Sequence, residues 1–297
     1  MRSSWDHRGV LDAVLDWYAA NARDLPWRDA ECSPWGVLVS EVMLQQTPVA
    51  RVLPQWEAWL RRWPTAPDLA ADAPGEAVRA WGRLGYPRRA LRLHAAAVAI
   101  TERHDGRVPS EHADLLALPG VGAYTAAAVA AFAFRARHAV VDTNVRRVHA
   151  RAVTGAAKPA PALTSAETRL AADLLPADPE TSARWGVAVM ELGALVCTAR
   201  APRCPLCPLL AECAWVLAGR PAHDGPARRA QAWAGTDRQV RGRLLAVLRE
   251  APGPVGADEL AAAWTTDPVQ RGRCLDGLVA DGLVQPRPGG RFALPGT

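Results

Sequence analysis

Residues 115–130 read LLALPGVGAYTAAAVA, and the turn inside this stretch determines how the fold is interpreted. One predicted helix ends at the segment Leu118-Pro119-Gly120-Val121-Gly122, and Ala123 begins the next. Two glycines two positions apart let the backbone turn tightly with its N–H groups outward, and the following helix adds a positive dipole end. A lone G-x-G is usually only a turn. Between two helices it predicts a helix-hairpin-helix, which binds nucleic-acid phosphates without reading sequence.

The composition of the whole chain is that of a globular protein. Its 297 residues are 49% apolar and 22% charged, and this length is enough for one large core or two to three modest domains. It has no apolar run long enough to span a bilayer, and polar residues interrupt the N-terminal stretch where a secretion signal needs an apolar core. We therefore expect a cytoplasmic protein with no membrane partner. A net charge of +5 and a pI near 9.1 suit a polyanionic partner.

Helical spacing of apolar residues over roughly the first 215 residues predicts an all-α fold. Residues 219–238 lack such spacing and are rich in Gly, Pro, Ala and Arg, which is typical of a linker. Beyond it the pattern predicts three helices and a hairpin, at Val240–Arg249, Asp258–Trp264, Pro268–Asp281, Leu283–Gln285 and Arg291–Leu294. This segment is compatible with a winged helix-turn-helix and equally with a generic helical cap.

Four of the six cysteines lie within seventeen residues in the pattern C-x6-C-x2-C-x5-C. Such bunching on a Pro-containing loop predicts a metal site, because disulfides are disfavoured in a cytoplasmic protein. The candidate ligands are Cys197, Cys204, Cys207 and Cys213. The spacing alone fits tetrahedral zinc and an iron–sulfur cluster alike. We expect Cys32 and Cys274, which lie outside the pattern, to be buried small hydrophobes.

Two carboxylates stand out from their surroundings. Glu41 is the only ionisable residue in PWGVLVSEVMLQQTP (34–48), so we expect burial to raise its pKa. The plain alternative is a core carboxylate paired with Arg28 or another arginine. Asp142, in VVDTNVRRV (140–148), is a natural N-cap. We expect the helix dipole and N–H groups to lower its pKa.

Together these motifs resemble the helix-hairpin-helix DNA glycosylases with an iron–sulfur loop, and among them the adenine DNA glycosylases of the MutY type. The resemblance extends from about Asp16 to Cys213. The motifs that carry it are LPWR (25–28), SEVMLQQT (40–47), LGY (84–86), LPGVG (118–122) and MELGALVC (190–197). It implies a helix-hairpin-helix glycosylase core over 1–218. The six-helix portion would span about 29–137 and the iron–sulfur portion 1–28 and 138–218. The winged-helix-like segment, which is predicted from the helix and hairpin pattern and not from the resemblance, spans 239–297.

The resemblance also implies an activity and a role for each matching residue. It implies a monomeric, nucleoid-associated enzyme that removes adenine mispaired with 8-oxoguanine or guanine, and a [4Fe-4S] cluster on the four cysteines. Glu41 would protonate the flipped adenine, and Asp142 would stabilise the oxocarbenium-like sugar. Tyr124 and Asn144 would support that pair of carboxyl groups. The base pocket would be lined by Arg28, Trp27 and Glu191. The residues that would insert at the opened base pair are Gln46, Leu44 and Tyr86.

Lysine usage bears on the reaction type. The related endonuclease III-type enzymes cut the strand through a lysine Schiff base in the hairpin, where this chain has Tyr124. The single lysine, Lys158, lies in GAAKPAPA, a predicted surface loop. We therefore expect a monofunctional glycosylase. The alternatives are a mismatch thymine or uracil glycosylase, which Glu41 argues against because a protonated ring nitrogen suits a purine, and a non-catalytic iron–sulfur DNA-binding protein, which would not need Glu41 and Asp142.

The chain departs from the adenine glycosylases at two places. It has Thr143 where they usually have glycine after the aspartate, a pattern closer to endonuclease III. Residues 223–297 are too short and too helical for the Nudix-like domain that recognises 8-oxoguanine in typical members. We expect this tail to make compensating DNA contacts, or discrimination for the oxidised guanine to be weaker.

Overall fold

The computed structural model describes residues 7–223 and 233–297. These residues form fifteen α-helices, two 3₁₀ turns and one two-stranded antiparallel sheet, which confirms the predicted all-α class. Within those two ranges, every helix is too short or too polar to cross a lipid bilayer. The predicted linker at 219–238 lies partly outside the described residues.

The helices are numbered along the chain. Those up to the hairpin are α1 (His7–Asn21), α2 (Pro34–Leu44), α3 (Val49–Arg62), α4 (Ala66–Ala71), α5 (Pro74–Ala80), α6 (Arg88–Arg103) and α7 (His112–Leu116). Those that follow are α8 (Ala123–Phe134), α9 (Thr143–Ala152), α10 (Ser165–Asp173), α11 (Pro179–Leu195), α12 (Ala214–Leu217), α13 (Asp237–Glu250), α14 (Ala257–Ala263) and α15 (Pro268–Ala280). The strands are β1 (Gln285–Arg287) and β2 (Arg291–Ala293), and the 3₁₀ turns are Pro26–Arg28 and Cys204–Leu206.

The described residues separate into two compact units. The first contains residues up to 37, 110–116 and 122–223, and the second contains 38–109, 117–121 and 233–297. In the first unit α9 and α11 pack together, and α1 packs on α11. Their shared core is formed by buried side chains that include Val10, Val14, Val148, Trp185 and Leu192.

The second unit has a core built around α6. Helices α4 and α5 pack against it. Three buried tryptophans meet edge to face, with the Trp59 ring centroid 4.6 Å from that of Trp63 and 5.7 Å from that of Trp81. Such aromatic pairs add to the stabilisation that burial alone gives. They fix α3 relative to the residues that follow α5.

The C-terminal residues of the second unit form a winged helix. Helices α13, α14 and α15 precede β1 and β2, and Val255, between α13 and α14, pairs with Phe292 of β2. This added strand-like residue distinguishes a winged helix from a generic cap. The predicted winged-helix-like segment is therefore confirmed, although α13 begins two residues inside the predicted linker because Thr236 caps it through Gln239 N–H.

The polar residues that precede α2 and α3 make different hydrogen bonds. The Ser33 hydroxyl accepts a hydrogen bond from Gly36 N–H at 3.1 Å, as its position before α2 predicts. Thr47 does not cap α3, whose N-cap is Pro48. Its hydroxyl instead contacts the carbonyl oxygens of Gln45 and Leu84, so Thr47 ties the end of α2 to the turn before α6.

Candidate active site and cysteine-lined cavity

Glu41 lies in the middle of α2 and is buried, with 6% of its surface exposed. The helix forms because its residues are apolar and are flanked by Ser33-Pro34 at the start and by Thr47-Pro48 after the end. Around Glu41, the α2 residues Leu38, Val39, Val42 and Met43 are all buried. Glu41 is therefore a buried carboxyl group on a helix whose neighbouring residues are mostly apolar.

The end of α2 presents the residues expected to enter DNA. Gln46 is exposed and Leu44 is half-buried, while Tyr86, in the turn before α6, is 52% exposed. Gln46 and Tyr86 both have left-handed backbones, with φ of 55° and 47°. Such conformations cost energy in residues other than glycine and are often found at functional sites. The structure places all three residues in the second unit with Glu41.

Arg89 is a residue of this region that the sequence pattern did not reveal. Its buried guanidinium donates to the carbonyl oxygens of Val42, Met43 and Gln45 and to the Thr47 hydroxyl. The available signal was its position on the apolar stripe of α6, where Leu93, Ala96 and Ile100 are buried. An arginine on such a stripe needs a specific set of acceptors.

The hairpin between α7 and α8 has the predicted form. Gly120 has φ of 77°, and a Cβ there would lie 2.5 Å from the Arg92 Cβ, so only glycine fits. Leu118 and Val121 are buried anchors, whereas Gly122 and Ala123 are exposed. The N–H groups at the start of α8 therefore face solvent, as phosphate binding requires.

Asp142 is the N-cap of α9 and the first member of a polar chain in the first unit. Its Oδ1 accepts from the N–H groups of Asn144 (2.8 Å) and Val145 (2.7 Å), and its Oδ2 accepts from Asn144 Nδ2 (2.7 Å). Arg147 then donates to Asn144 Oδ1 at 2.7 Å and to the Cys197 carbonyl at 2.6 Å. The chain of contacts leads from Asp142 to the cysteine-containing loop.

The predicted direction of the Asp142 pKa is wrong. Burial raises the pKa of this carboxyl above its usual value and outweighs the hydrogen bonds from Val145 and Asn144 and the charge of Arg147, all of which lower it. The helix dipole and the N-cap hydrogen bonds, on which the prediction rested, act only at the start of α9. Packing around α9 removes more water from the carboxylate than the N-cap contacts replace.

The close approach of α11 to α9 explains why the MELGALVC motif has a glycine at position 193. A Cβ at Gly193 would lie 2.7 Å from the Asn144 Cβ and 2.8 Å from the Asn144 carbonyl oxygen. The Gly193 carbonyl also accepts from Arg147 at 2.6 Å. Glycine is therefore needed here to hold Asn144 and Arg147 in place.

Glu191, of the predicted base pocket, lies with Arg28 and with an arginine that was not predicted. Its fully buried carboxylate accepts from Arg23 Nε and Nη2, both at 2.7 Å, and from Arg28 Nη2 at 2.8 Å. Burial would raise the pKa of this carboxyl, but the hydrogen bonds from both arginines outweigh it and lower the pKa to about 2. Arg28 thus pairs with Glu191, and Trp27 is buried beside Arg28 in the 3₁₀ turn, while their role as a base pocket stays a prediction.

Tyr124, expected to support the carboxylate pair, lies in the first turn of α8. It packs beside a small apolar cluster that contains Ala127, Ala131 and Val140. Since Val140 lies two residues before Asp142, the contact connects α8 to the segment that leads into α9.

The four clustered cysteines line one largely apolar cavity, together with residues such as Val148 and Leu192. None of the four forms a disulfide. Burial is the main cause that raises the pKa of Cys207 to about 11, and the neighbouring thiols add to the increase. Arg151 Nη1 lies 3.4 Å from Cys197 Sγ. No three His, Cys, Asp or Glu side chains within 7–223 and 233–297 are gathered closely enough to bind a metal ion.

The two cysteines outside this cavity differ from each other. Cys274 is buried, as expected, whereas Cys32 is half-buried. Burial raises the pKa of both thiols.

Comparison with known proteins gives one consistent assignment. The model of the HhH-GPD superfamily of base excision DNA repair proteins matches residues 39–172. The adenine DNA glycosylase of Mycobacterium tuberculosis is 57% identical over 285 residues, covering 95% of this chain and 92% of that protein. That of Mycolicibacterium smegmatis is 57% identical over 283 residues, with 95% of each covered. The structure of a thermostable thymine-DNA glycosylase matches with a TM-score of 0.64 at 26% identity, covering 71% of this chain and 97% of that one. The chain therefore belongs to the MutY-type glycosylases of the HhH-GPD superfamily of base excision DNA repair proteins.

Proposed function

We propose that this protein flips adenine out of duplex DNA and hydrolyses its N-glycosidic bond when the adenine is mispaired with 8-oxoguanine or guanine. The observation that carries the proposal is the buried carboxyl of Glu41 within an otherwise apolar helix. The identity of 57% to two adenine DNA glycosylases supports adenine as the base.

The chemistry needs one carboxyl that is protonated and one that is ionised. Glu41 donates its proton to a ring nitrogen of the flipped adenine, so the base leaves with the bonding electron pair as a neutral molecule. Water then adds to the sugar carbon and loses a proton to the Glu41 carboxylate, which regenerates the acid. Asp142, as a carboxylate, stabilises the positive charge that develops on the sugar. Its burial serves this role, since charges attract more strongly where water is excluded.

The Arg28–Glu191 pair orients the base pocket in this proposal. Glu191 is fully buried and saturated by arginine donors, so its role is to hold Arg28 rather than to contact the base. Arg28 retains 17% side-chain exposure and is the member that can reach adenine. An always-charged donor can recognise ring nitrogens without taking up a proton.

DNA distortion is assigned to the second unit. Gln46 and Tyr86 are exposed and polar at their tips, so they can fill the gap left by the flipped base and hydrogen-bond to the base that stays. In the first unit, the exposed N–H groups at Gly122 and Ala123 bind a DNA phosphate without reading sequence.

We further propose that the reaction stops at base removal. Strand cleavage by a Schiff base needs an amine, and the single lysine, Lys158, lies exposed between α9 and α10. The hairpin carries Tyr124 instead, and its phenol cannot form a Schiff base.

The cysteine-lined cavity supports a proposal for a cluster of several iron atoms rather than for a single metal ion, which the described thiols are not gathered closely enough to bind. Four thiols face one apolar space, and Arg151 places an N–H donor against Cys197 Sγ. We propose that Cys197, Cys204, Cys207 and Cys213 hold a [4Fe-4S] cluster, which would crosslink the loop covalently. The contact between Arg147 and the Cys197 carbonyl would then transmit the order of that loop to Asn144 and Asp142.

A base-release assay on a panel of duplexes tests the proposed function. Adenine release is expected from A:8-oxoguanine and A:G, without release from A:T, T:G or U:G. Strand breaks should appear only after alkali. Release of thymine or uracil would favour the pyrimidine-specific alternative, DNA binding without release of any base would favour a non-catalytic role, and borohydride-trapped protein would contradict the monofunctional assignment.

A further inference from the structure

The side chain of Arg89 is buried to 6% exposure, yet it carries a full charge. Among the described residues no carboxylate pairs with it, and its hydrogen bonds go to neutral oxygens. Burial lowers its pKa to about 10, which leaves it protonated at neutral pH. A charge in such a place is costly unless a rigid set of acceptors surrounds it.

Those acceptors belong to two segments that are distant in sequence. Nη1 donates to the carbonyl oxygens of Val42 (2.8 Å), Met43 (3.1 Å) and Gln45 (2.7 Å). The last carbonyls of a helix have no partner within it and attract a cation, so Arg89 caps the C-terminus of α2. Nη2 donates to the Thr47 hydroxyl and to the Gly85 carbonyl, each at 3.0 Å. One guanidinium therefore joins the end of the Glu41 helix to the turn before α6.

Three residues other than glycine in the described part of this unit have a left-handed backbone, Gln46, Tyr86 and Asp105, and the Arg89 acceptors flank the first two. Gln46 (φ 55°) lies between Gln45 and Thr47, and Tyr86 (φ 47°) follows Gly85. The Arg89 guanidinium also lies 5.6 Å from the Tyr86 ring centroid. A left-handed backbone in residues other than glycine persists only where its surroundings enforce it. Arg89 supplies bonds on both sides of Gln46 and on the N-terminal side of Tyr86.

We propose that Arg89 is a positioning residue, which holds Gln46 and Tyr86 in the pose from which they enter the gap left by the flipped base. The inference rests on the proposed function and adds to it the residue that sets its insertion geometry. Lysine cannot replace Arg89, because a single ammonium with three donors cannot reach five acceptors spread over two segments in a planar fork.

The test compares Arg89→Lys with Arg79→Lys. Arg79 is a matched control because its guanidinium also caps a helix C-terminus, bonding the carbonyl oxygens of Leu248 and Ala251 at the end of α13. Both variants should lose thermal stability. Only Arg89→Lys should slow single-turnover adenine release, by about tenfold to a hundredfold, the effect expected of a small misplacement near the reacting groups.

Binding and unstacking provide readouts that a purely structural role would not change. Affinity for duplex with an abasic site opposite 8-oxoguanine should fall by about tenfold in Arg89→Lys, with affinity for matched duplex unchanged. The fluorescence rise of 2-aminopurine placed beside the mispaired adenine should also be reduced. The proposal would be overturned if the two lysine variants changed adenine release and duplex binding equally. It would also be overturned if Arg89→Lys kept the wild-type rate of adenine release and the wild-type preference for the abasic-site duplex over matched duplex.

A second variant keeps the test decisive if Arg89→Lys does not fold. Thr47→Val removes one acceptor of Arg89. It should lower the preference for the abasic-site duplex over matched duplex several-fold, and an unchanged preference would refute the inference. Wild-type protein is assayed in parallel. Wild type that releases no adenine would refute the proposed function, while abasic-site binding would still report on Arg89.

Discussion

Two carboxyl groups of the first unit, the fully buried Glu191 and the half-buried Asp142, show how surroundings set acidity. Glu191 meets two arginines and its pKa falls to about 2, whereas Asp142 meets N–H groups, one amide and a more distant arginine, and its pKa rises. The first arrangement stabilises a charge inside the protein. The second keeps a carboxylate poorly compensated, which suits a group whose partner is a transient cation on the substrate.

Asp142→Asn should therefore separate stability from activity. Because the folded pKa is raised, protonated Asp142 stabilises the fold below its unfolded pKa, and this contribution is lost as pH rises through the folded pKa. Asparagine removes the buried charge and still caps the helix, so the melting temperature at pH 7 should equal or exceed that of wild type, with the difference growing from acid to neutral pH. Adenine release should fall by about a hundredfold or more.

Asp178→Asn is the matched control for that variant. Asp178 also caps a helix, accepting from Thr181 N–H at 2.8 Å, but it is exposed. It should show no gain in stability and an unchanged rate of release. A melting temperature for Asp142→Asn that is clearly below wild type at pH 7 would contradict the assigned burial cost.

The sequence was most informative about residues whose role is local. The N-cap position of Asp142 is predictable from the residues next to it in the sequence. The clustering of the four cysteines is likewise visible in the sequence. The pKa of Asp142 does not, because it depends on residues packed around α9 from elsewhere in the chain. Arg23 and Arg89 were missed for the same reason, since their partners lie far away in sequence, Glu191 in one case and the end of α2 in the other.

At the scale of elements, the hairpin between α7 and α8 is specified by two glycines with different functions. Gly120 needs its positive φ and the space beside Arg92, whereas Gly122 has an extended backbone and open space for at least 4 Å around the position that a Cβ would take. The tight turn at Gly120 was predictable from the sequence. That Gly122 is dispensable for the fold was not, because it depends on where neighbouring side chains lie.

Gly120→Ala and Gly122→Ala should consequently behave differently. Gly120→Ala should destabilise the protein by about 1–3 kcal/mol, because the backbone is strained and the Cβ overlaps Arg92. Gly122→Ala should leave the melting temperature unchanged but weaken binding to undamaged duplex, since its methyl group would lie beside the phosphate-binding N–H groups. Denaturant unfolding and duplex affinity at two salt concentrations measure both effects. Equal stability of the two variants would contradict the assigned geometry.

At the scale of the whole molecule, the winged helix is part of the second unit. The Gly75 N–H donates to the Pro295 carbonyl at 2.7 Å, and Arg249 donates to the Val78 carbonyl at 2.9 Å. In the opposite direction, Arg79 of α5 donates to the Ala251 carbonyl at the end of α13. Removing residues 238–297 would uncover α5, so deletion cannot cleanly test whether the tail contacts DNA.

Docking of the winged helix is tested by a glycine pair. A Cβ at Gly75 would lie 2.5 Å from the Pro295 carbonyl oxygen, so Gly75→Ala should cost about 1–3 kcal/mol. Gly242→Ala, in an open position of α13, should instead stabilise by about 0.4–1 kcal/mol. Thermal and urea unfolding give both values. A Gly75→Ala protein as stable as wild type would show that the tail does not dock on α5.

The three helices and the hairpin of the tail were predictable because they follow local periodicity, but the sequence fitted a winged helix and a generic cap equally, and only the pairing of Val255 with Phe292 decides between them. The attachment of the tail was not predictable, since Arg79 and Arg249 are ordinary surface-type arginines in the sequence, and only their carbonyl partners reveal the interface.

The central claim is that Glu41 is the acid that releases adenine, and one measurement tests it most directly. Single-turnover release from an A:8-oxoguanine duplex is compared for wild type, Glu41→Gln and Glu57→Gln, which replaces an exposed carboxylate of α3. Duplex affinity is measured in parallel. Glu41→Gln should bind as tightly as wild type and release adenine at least about a thousandfold more slowly, while Glu57→Gln behaves as wild type. A Glu41→Gln protein that binds normally and still releases adenine at the wild-type rate would contradict the account.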